Sequence, residues 1–318
     1  MDLRQLRYFL QIVDCGSISR ASEILRIAQP SLSLQLKALE EELNAELLVR
    51  HARGVTATDV GLLLCDHARK ILREVDHAKE AVQSQAANPL GKVLIGIPTS
   101  ACRGLTRPLV EATAEKLPGV SIHIIEAMTG GLDEWLRAGQ LDVAVLYNRR
   151  VSEHVISQDI LSENLGLIAR TQDAENLPKT ISFAETWSLP LVIPGPSNVF
   201  RTLVDELAIK KGLERASESI TDCDSLPGIL KMVSLGKYTI LPSFAVNEEI
   251  SRGDICSIPI HSPTPSWVLS VVQSKRTLNP RASEAVARVL TEVAGGLVHS
   301  GAWAATLLRG KPTTKKRR

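Results

Sequence analysis

The sequence predicts three parts in series: an all-α N-terminal segment with a winged helix-turn-helix, a long linker helix, and an α/β domain large enough for two lobes. Three observations carry that expectation. Apolar residues recur at helical spacing through the first 43 positions, interrupted where a proline opens a new helix. A heptad-like apolar series runs from Leu64 to Val82 among charged residues. Beyond Gly91, short apolar runs alternate with helical patterns, the order in which an α/β fold with parallel sheets is laid down. A chain of 318 residues suits two or three domains.

Residues 3–15 form the first helix, with Leu3, Leu6, Leu10 and Val13 on one face and Tyr8, Phe9 and Ile12 widening it. Gly16 ends it as a C-terminal cap. Ser17 caps a short second helix whose inner face is Ile18, Ala21 and Leu25. The periodicity breaks across residues 26–29, and Pro30 then sits in the first turn of a third helix, where proline is welcome. Leu32, Leu36, Leu39 and Leu43 give that helix its packing stripe. Its other side opens with Gln29, Ser31, Ser33 and Gln35, uncharged donors and acceptors suited to base edges. A helix pair over residues 18–37 with such a polar end has the form of a DNA-reading helix-turn-helix. The cluster Glu40, Glu41 and Glu42 is expected to face solvent, away from phosphates.

Two short extended runs, residues 45–50 and 54–58, flank the tip His51-Ala52-Arg53 and read as a small wing. Arg50 and Arg53 are either ordinary solvated loop arginines or, beside the third helix, phosphate contacts. Residues 1–59 hold seven basic and eight acidic groups, so any DNA-facing cations must be concentrated on one side. Thr58 caps the linker helix. Its seam, Leu64, Ala68, Ile71, Val75, Ala78 and Val82, serves either the chain's own core or the same helix of a second copy; its regularity favours a dimerisation contact.

Residues 86–91 form the hinge. Strands are expected over 92–97, 120–127, 141–147, 165–169, 191–193, 217–220, 238–241, 255–260 and 268–273. Helices are expected over 104–116, 132–138, 198–211, 225–235, 243–251 and 280–297. Hydrophobic residues make up 44% of the chain but aromatics only 3%, so an aliphatic core is expected.

Composition excludes several classes of function. Residues 309–318 carry six positive charges and no acid, which leaves −4 for the rest and rules out a global field for nucleic acid. That tail is either a solvated end or a non-specific DNA clamp. The five cysteines are far apart without a CxxC pair, as in a reduced, cytoplasmic protein. Neither they nor the scattered histidines suggest a metal site, and no cofactor motif is present. No signal peptide or membrane span is expected. Cys102, near a helix start, is the one candidate nucleophile. No histidine stands in a recognisable partner position, so no catalytic residue is assigned.

The first 60 residues resemble the LysR-type transcriptional regulators. The resemblance rests on Leu6-Arg7-Tyr8-Phe9, on the run Ser17 to Leu25, and on Ala28-Gln29-Pro30-Ser31-Leu32-Ser33. Leu39 to Leu43, Leu47 to Arg50 and Arg53-Gly54-Val55 extend it. It implies a winged helix-turn-helix over 1–58, a linker helix over 59–88 and a two-lobed, periplasmic-binding-protein-like effector domain over 90–300. Lobe I would take 90–162 and 267–300, lobe II 163–266, with a basic tail over 301–318. Many members carry an arginine where this chain has Leu34, so readout would lean on Gln29, Gln35, the wing or a thymine methyl at Leu34.

For the effector, the resemblance implies a cleft lined by Thr99, Ser100, Thr129, Ser197, Asn198 and Phe200. Hydroxyls at helix N-termini there can seat a carboxylate, and the same residue types also cap helices for structural reasons alone. Arg103 and Arg201 are the expected cations. The implied partners are double-stranded promoter DNA, a small carboxylate effector, further copies in a homodimer or homotetramer, and RNA polymerase. The alternative is a small-molecule carrier of the solute-binding type, which the N-terminal segment and the missing signal peptide count against.

Overall fold

The computed structural model describes residues 1–51, 54–83, 89–149, 152–213, 220–277 and 279–308. Arg53, residues 217–219 of one expected strand and residues 309–318 of the tail lie outside them. The chain divides into two compact units, residues 1–85 and 86–318.

In the first unit, Asp2 opens α1 (Leu3–Cys15) with a reciprocal cap: its carboxylate accepts from the backbone of Arg4 and Gln5, and the Gln5 side chain accepts from Asp2 N–H. Gly16, at φ 61°, closes it. Ser17 caps α2 (Ile18–Leu25), and Arg26 ends it in the left-handed region at φ 55°. After that three-residue turn comes α3 (Gln29–Leu43), with Pro30 in its first turn. Leu6, Phe9, Leu10, Ile12, Ile18, Ala21, Leu32, Leu36 and Leu39 form one buried cluster. Leu43, expected on that stripe, is exposed.

The wing is β1 (Leu48–His51) paired antiparallel with β2 (Gly54–Ala57). It is tied down by Glu40, whose Oε1 accepts from the N–H groups of Leu47 (2.9 Å) and Leu48 (3.3 Å). Glu40 is therefore a structural acceptor and not a solvated acid, while Glu41 and Glu42 stay exposed. Thr58 accepts from Gly61 N–H at 2.9 Å and so caps α4 (Asp59–Gln83).

The seam of α4 differs from expectation. Ala68 is buried and Leu64 half-buried, both packed with Cys65 and Leu72 on the unit's own core. Among the described residues, the large apolar side chains that α4 leaves exposed are Val60, Leu62, Leu63 and Ile71. Three of them, Val60, Leu63 and Ile71, lie within about 80° of one another around the helix, at 3.6 residues per turn. Val75 is half-buried; Ala78 and Val82 belong to α4, with side chains outside the described residues.

The second unit has two larger sheets and a separate two-stranded pair. Its elements begin with β3 (Gly91–Pro98), α5 (Thr99–Lys116), β4 (Val120–Ala127), α6 (Thr129–Arg137), β5 (Val143–Tyr147) and β6 (Val155–Asn164). The chain then enters the second sheet with β7 (Gly166–Arg170), α7 (Thr171–Ala174), β8 (Ile181–Ser182), α8 (Phe183–Trp187) and β9 (Leu191–Ile193). Next come α9 (Val199–Lys210), β10 (Ile220–Asp222), α10 (Leu226–Ser234), β11 (Thr239–Leu241) and a 3₁₀ turn, Ser243–Val246. After α11 (Asn247–Ser251) and β12 (Ile255–His261) the chain returns through β13 (Ser266–Ser274), α12 (Pro280–His299) and β14 (Ala305–Leu307).

The first sheet has the order β14-β6-β13-β5-β3-β4 and the second β11-β7-β12-β8, with β9 and β10 forming a separate parallel pair. The expectation of parallel sheets holds only for β5-β3-β4, for β12-β8 and for that pair. β13 runs antiparallel to β5 and β6, and β7 antiparallel to β11 and β12. The reason is that the chain leaves the first sheet along β6 and returns along β13. The two crossings lie side by side, with Leu165 N–H donating to Pro265 O at 2.8 Å. Nothing in the apolar pattern announces β6: Gln158, Asp159 and Glu163 interrupt it, and the pairing with β13 shifts register at Leu269/Ser270. Among the described residues, no helix is long and apolar enough to cross a membrane.

Gly54 fixes how the wing meets α1. Its φ is +137°, and a Cβ there would lie 2.2 Å from Gly16 O, the acceptor of Val55 N–H. Gly54→Ala should therefore destabilise the first unit by about 1–3 kcal/mol. Hydrogen exchange should show faster opening of residues 3–57 and no change over residues 91–307.

Candidate functional site

Two sites emerge, one on each unit. On the first, the side of α3 away from the core presents Gln29, Ser31 and Leu34 exposed and Ser33 and Gln35 partly exposed. Leu34 is 65% exposed and adds an apolar group to this face. Gln29 Oε1 accepts from Ser19 Oγ at 3.2 Å, which orients the amide and leaves its N–H₂ free to donate. Arg50 stands exposed on β1. A helix N-terminus, uncharged hydrogen-bonding groups and a neighbouring arginine on a hairpin can grip bases and phosphates together.

On the second unit a cavity of about 80 Å³ lies between the two sheets. It is lined by Thr99 and Ser100 of α5, Thr129 of α6, and Asn198 and Phe200 at the start of α9. α5 starts at Thr99, five residues before the expected helix, so Thr99 and Ser100 belong to its first turn. Neither α5 nor α6 has a side-chain cap, so Ser100 and Thr129 hold no helix end. Asn198 does: its Oδ1 accepts from Phe200 N–H at 2.9 Å and its Nδ2 points to Met128 Sδ. Ser197 lines a separate groove, beside Thr129, Tyr147 and Asn148.

The expected cations are engaged elsewhere. Arg103 donates to Glu249 (2.8 Å), Glu248 (3.2 Å) and Ala245 O (3.0 Å). Arg201 is fully buried and bonded to Asp205 (2.9 Å), Asp222 (2.7 Å) and Pro194 O (3.1 Å). Neither lines the cavity. Among the described residues its charged side chain is Asp224, which accepts from Gly195 N–H at 3.0 Å.

Residues that sequence reasoning missed complete the wall. Tyr147 stacks on Trp267 with centroids 3.8 Å apart and planes 20° apart, and Phe200 meets Trp267 edge-on at 6.2 Å. Behind them lies Glu163, 1% exposed, each of whose oxygens accepts one indole N–H: Trp267 Nε1 at 2.7 Å and Trp303 Nε1 at 2.6 Å. Burial pushes the Glu163 carboxyl above its ordinary range, and hydrogen bonds from the indoles pull part of the way back. Burial also pushes the Tyr147 phenol well up, helped by the nearby Glu163 charge, so it stays protonated. The signal for Tyr147 was available: it ends a strand flanked by helices, and open α/β sheets bind ligands beyond their strand ends.

Cys102 bonds with Thr106 at 3.2 Å, and burial pushes its thiol up, away from the thiolate a nucleophile needs. Among the described residues no cluster of His, Cys, Asp and Glu could hold a metal ion.

Comparison with known proteins places both units. Residues 3–62 match the bacterial regulatory helix-turn-helix proteins of the lysR family, and residues 86–295 match the LysR substrate binding domain. The chain belongs to the LysR family. The nitrogen assimilation regulatory protein nac of Klebsiella aerogenes is 35% identical over 293 residues, 91% of this chain and 94% of that protein. Its counterpart in Escherichia coli (strain K12) is 32% identical over 95% of this chain and 99% of that one. The crystal structure of CbnR, a LysR family transcriptional regulator, superposes with a TM-score of 0.73 over 92% of this chain and 99% of that one. At 21% identity that likeness speaks for the fold alone. This LysR-type transcriptional regulator thus pairs a DNA-binding unit with an effector-binding unit, and the solute-binding alternative gives way to it.

The raised Glu163 pKa makes a prediction about this regulator's stability. The folded state binds that proton more tightly than the unfolded chain, whose carboxyl titrates near 4.5. This contribution is full below pH 4.5 and is lost as pH rises through the folded value. Glu163→Gln cannot ionise and should lose this pH dependence. Denaturant unfolding between about pH 4 and 7 should show wild type losing stability relative to the variant; parallel profiles would refute the assignment.

Proposed function

We propose that this LysR-type regulator is a cytoplasmic homodimer or homotetramer that reads operator bases with α3 and senses a small acid between its lobes. The observation that carries the DNA assignment is the unpacked face of α3. A solvated helix of no special use would carry Lys and Glu there, whereas this one carries Gln29, Ser31, Ser33, Leu34 and Gln35. Arg50, together with Arg53, supplies phosphate contacts, and RNA polymerase is the downstream partner. Nac is named as a nitrogen assimilation regulator, which supports a metabolite effector. For that effector, the uncapped N-termini of α5 and α6, with Thr99, Ser100 and Thr129, provide a seat for a carboxylate. Ligand acts by preferring one arrangement of the regulator over another.

Gln29→Ala should cost about 1–3 kcal/mol at one base position of the operator. Arg50→Ala should weaken all sequences alike and lower the salt slope by about one. Binding to a set of operator variants at several salt concentrations separates the two. Equal, sequence-independent losses for both would remove α3 from the groove.

Subunit pairing follows from α4, on the stripe of Val60, Leu63 and Ile71 rather than on Leu64 and Ala68, which the unit's own core occupies. Ile71→Glu places an unpaired charge in that contact. Sedimentation of the full chain should shift towards monomer, and operator affinity should fall more than non-specific affinity. An unchanged assembly would place the contact elsewhere.

A further inference from the structure

The cavity between the sheets carries an unbalanced charge. Asp224, in the loop between β10 and α10, lines it. Its Oδ1 accepts from Gly195 N–H at 3.0 Å, which ties the carboxylate to the loop before α9, and among the described residues its Oδ2 has no partner. Asp222, two residues earlier, is met by Arg201 at 2.7 Å. Among the described residues Asp224 has no such cation. Holding Gly195 needs only an acceptor, which an asparagine would supply, so the charge and the second oxygen are surplus to the loop.

The rest of the wall does not neutralise it. No Lys, Arg or His is among the described lining residues. Arg103 is held by Glu248 and Glu249, Arg201 by Asp205 and Asp222, and Arg149 pairs with Asp159 at 3.3 Å. The wall is otherwise largely apolar and aromatic: Met128, Phe200, Leu226, Ile229, Leu241 and Trp267. Apolar surroundings strengthen the attraction between opposite charges, and aromatic rings favour a cation over an anion. At 80 Å³ the space holds about five to eight water-sized groups.

We infer that the effector of this regulator carries a protonated nitrogen, and that Asp224 is the residue that recognises it. This rests on the reading of the cleft as the effector site. The ammonium donates to the free Oδ2 while Oδ1 stays with Gly195. A hydroxyl in the same place would donate one hydrogen bond of roughly half the strength, without the attraction of opposite charges. Asp224 therefore tells an amino compound from the hydroxy compound of the same size and shape. Combined with the small acid proposed for the cleft, the ligand class is the short amino acids. Molecules of about six or seven non-hydrogen atoms, the size of alanine and serine, match the space.

Isothermal titration of the full chain with two matched pairs, L-alanine against L-lactate and L-serine against L-glycerate, tests this. Within each pair an ammonium is exchanged for a hydroxyl and the rest of the molecule is kept. At least one amino acid binds, and about 10- to 100-fold more tightly than its hydroxy partner, the range of one hydrogen bond between charged groups. Asp224→Asn keeps an acceptor for Gly195 N–H and removes the charge. It weakens the amino acid about 10- to 100-fold and leaves the hydroxy acid as tight or tighter, so the preference disappears. A carboxylate that only tied two loops together would change both members of a pair alike.

Three results would overturn the proposal: the hydroxy acid binding as tightly as the amino acid in both pairs, neither amino acid binding, or a preference that survives Asp224→Asn. Should that variant fail to fold, the comparison within each pair on the wild-type chain still decides. Failure of the effector reading looks different: the amino acid binds as described while affinity for operator DNA stays the same with and without it.

Discussion

A carboxylate shut away from water between two indoles organises the effector unit. Glu163 lies on β6 directly opposite Trp267 on β13, where the chain crosses out of the first sheet and back into it. Burying such a group without a cation is expensive unless each oxygen finds a donor. Here each does, and the donors come from separated stretches, Trp267 on a crossing strand and Trp303 just before β14. Trp303 then stacks on Phe244 of the 3₁₀ turn at 3.8 Å with parallel planes. Phe244 fits only because Gly104 of α5 has no side chain; a Cβ there would lie 2.1 Å from the ring. One acid therefore ties together both crossings, the C-terminal strand and the second sheet. By fixing Trp267 it also sets the plane on which Tyr147 rests.

The arginines of this unit serve the scaffold, and that choice shapes the cleft. Arg103 joins α5 of the first sheet to α11 beside the second, and Asn247 adds a bond to Ala302 O at 2.9 Å. Arg201 is buried whole to hold the start of α9 against Asp205 and Asp222. With these charges spent on packing, polarity in the described lining of the cleft comes from helix ends, the hydroxyls of Thr99, Ser100 and Thr129, the Asn198 amide and the Asp224 carboxylate.

In the DNA-binding unit the same division between packing and recognition is made along single helices. The buried leucines of α3 fix its rotation, and that rotation decides that Gln29, Ser31 and Leu34 face outward. α4 gives Ala68 and Cys65 to the core and keeps Val60, Leu63 and Ile71 at the surface. A 25-residue helix offers more apolar length than one small core can cover, so the surplus is available to a partner.

The sequence by itself determined the helices and caps of the first unit, the recognition helix and the alternation of the second. These are local matters: a period of 3.6, a proline at N1, a serine or glycine at an end. It also placed Ser100, Thr129, Asn198 and Phe200 at one cleft, through resemblance rather than through periodicity. Only the tertiary structure decided which way α4 turns its apolar side, since Leu64, Ala68 and Ile71 share a heptad yet meet different neighbours. Only the structure, likewise, took Arg103 and Arg201 away from the cleft. Their partners Glu249 and Asp222 lie 146 and 21 residues further along, beyond the reach of any local pattern. Strand β6 was invisible for the same reason. Its buried Glu163 reads as a surface acid until two tryptophans, 104 and 140 residues away, satisfy it. Periodicity records which side chains avoid water, but it holds no record of polar groups that leave water because a distant donor has replaced it.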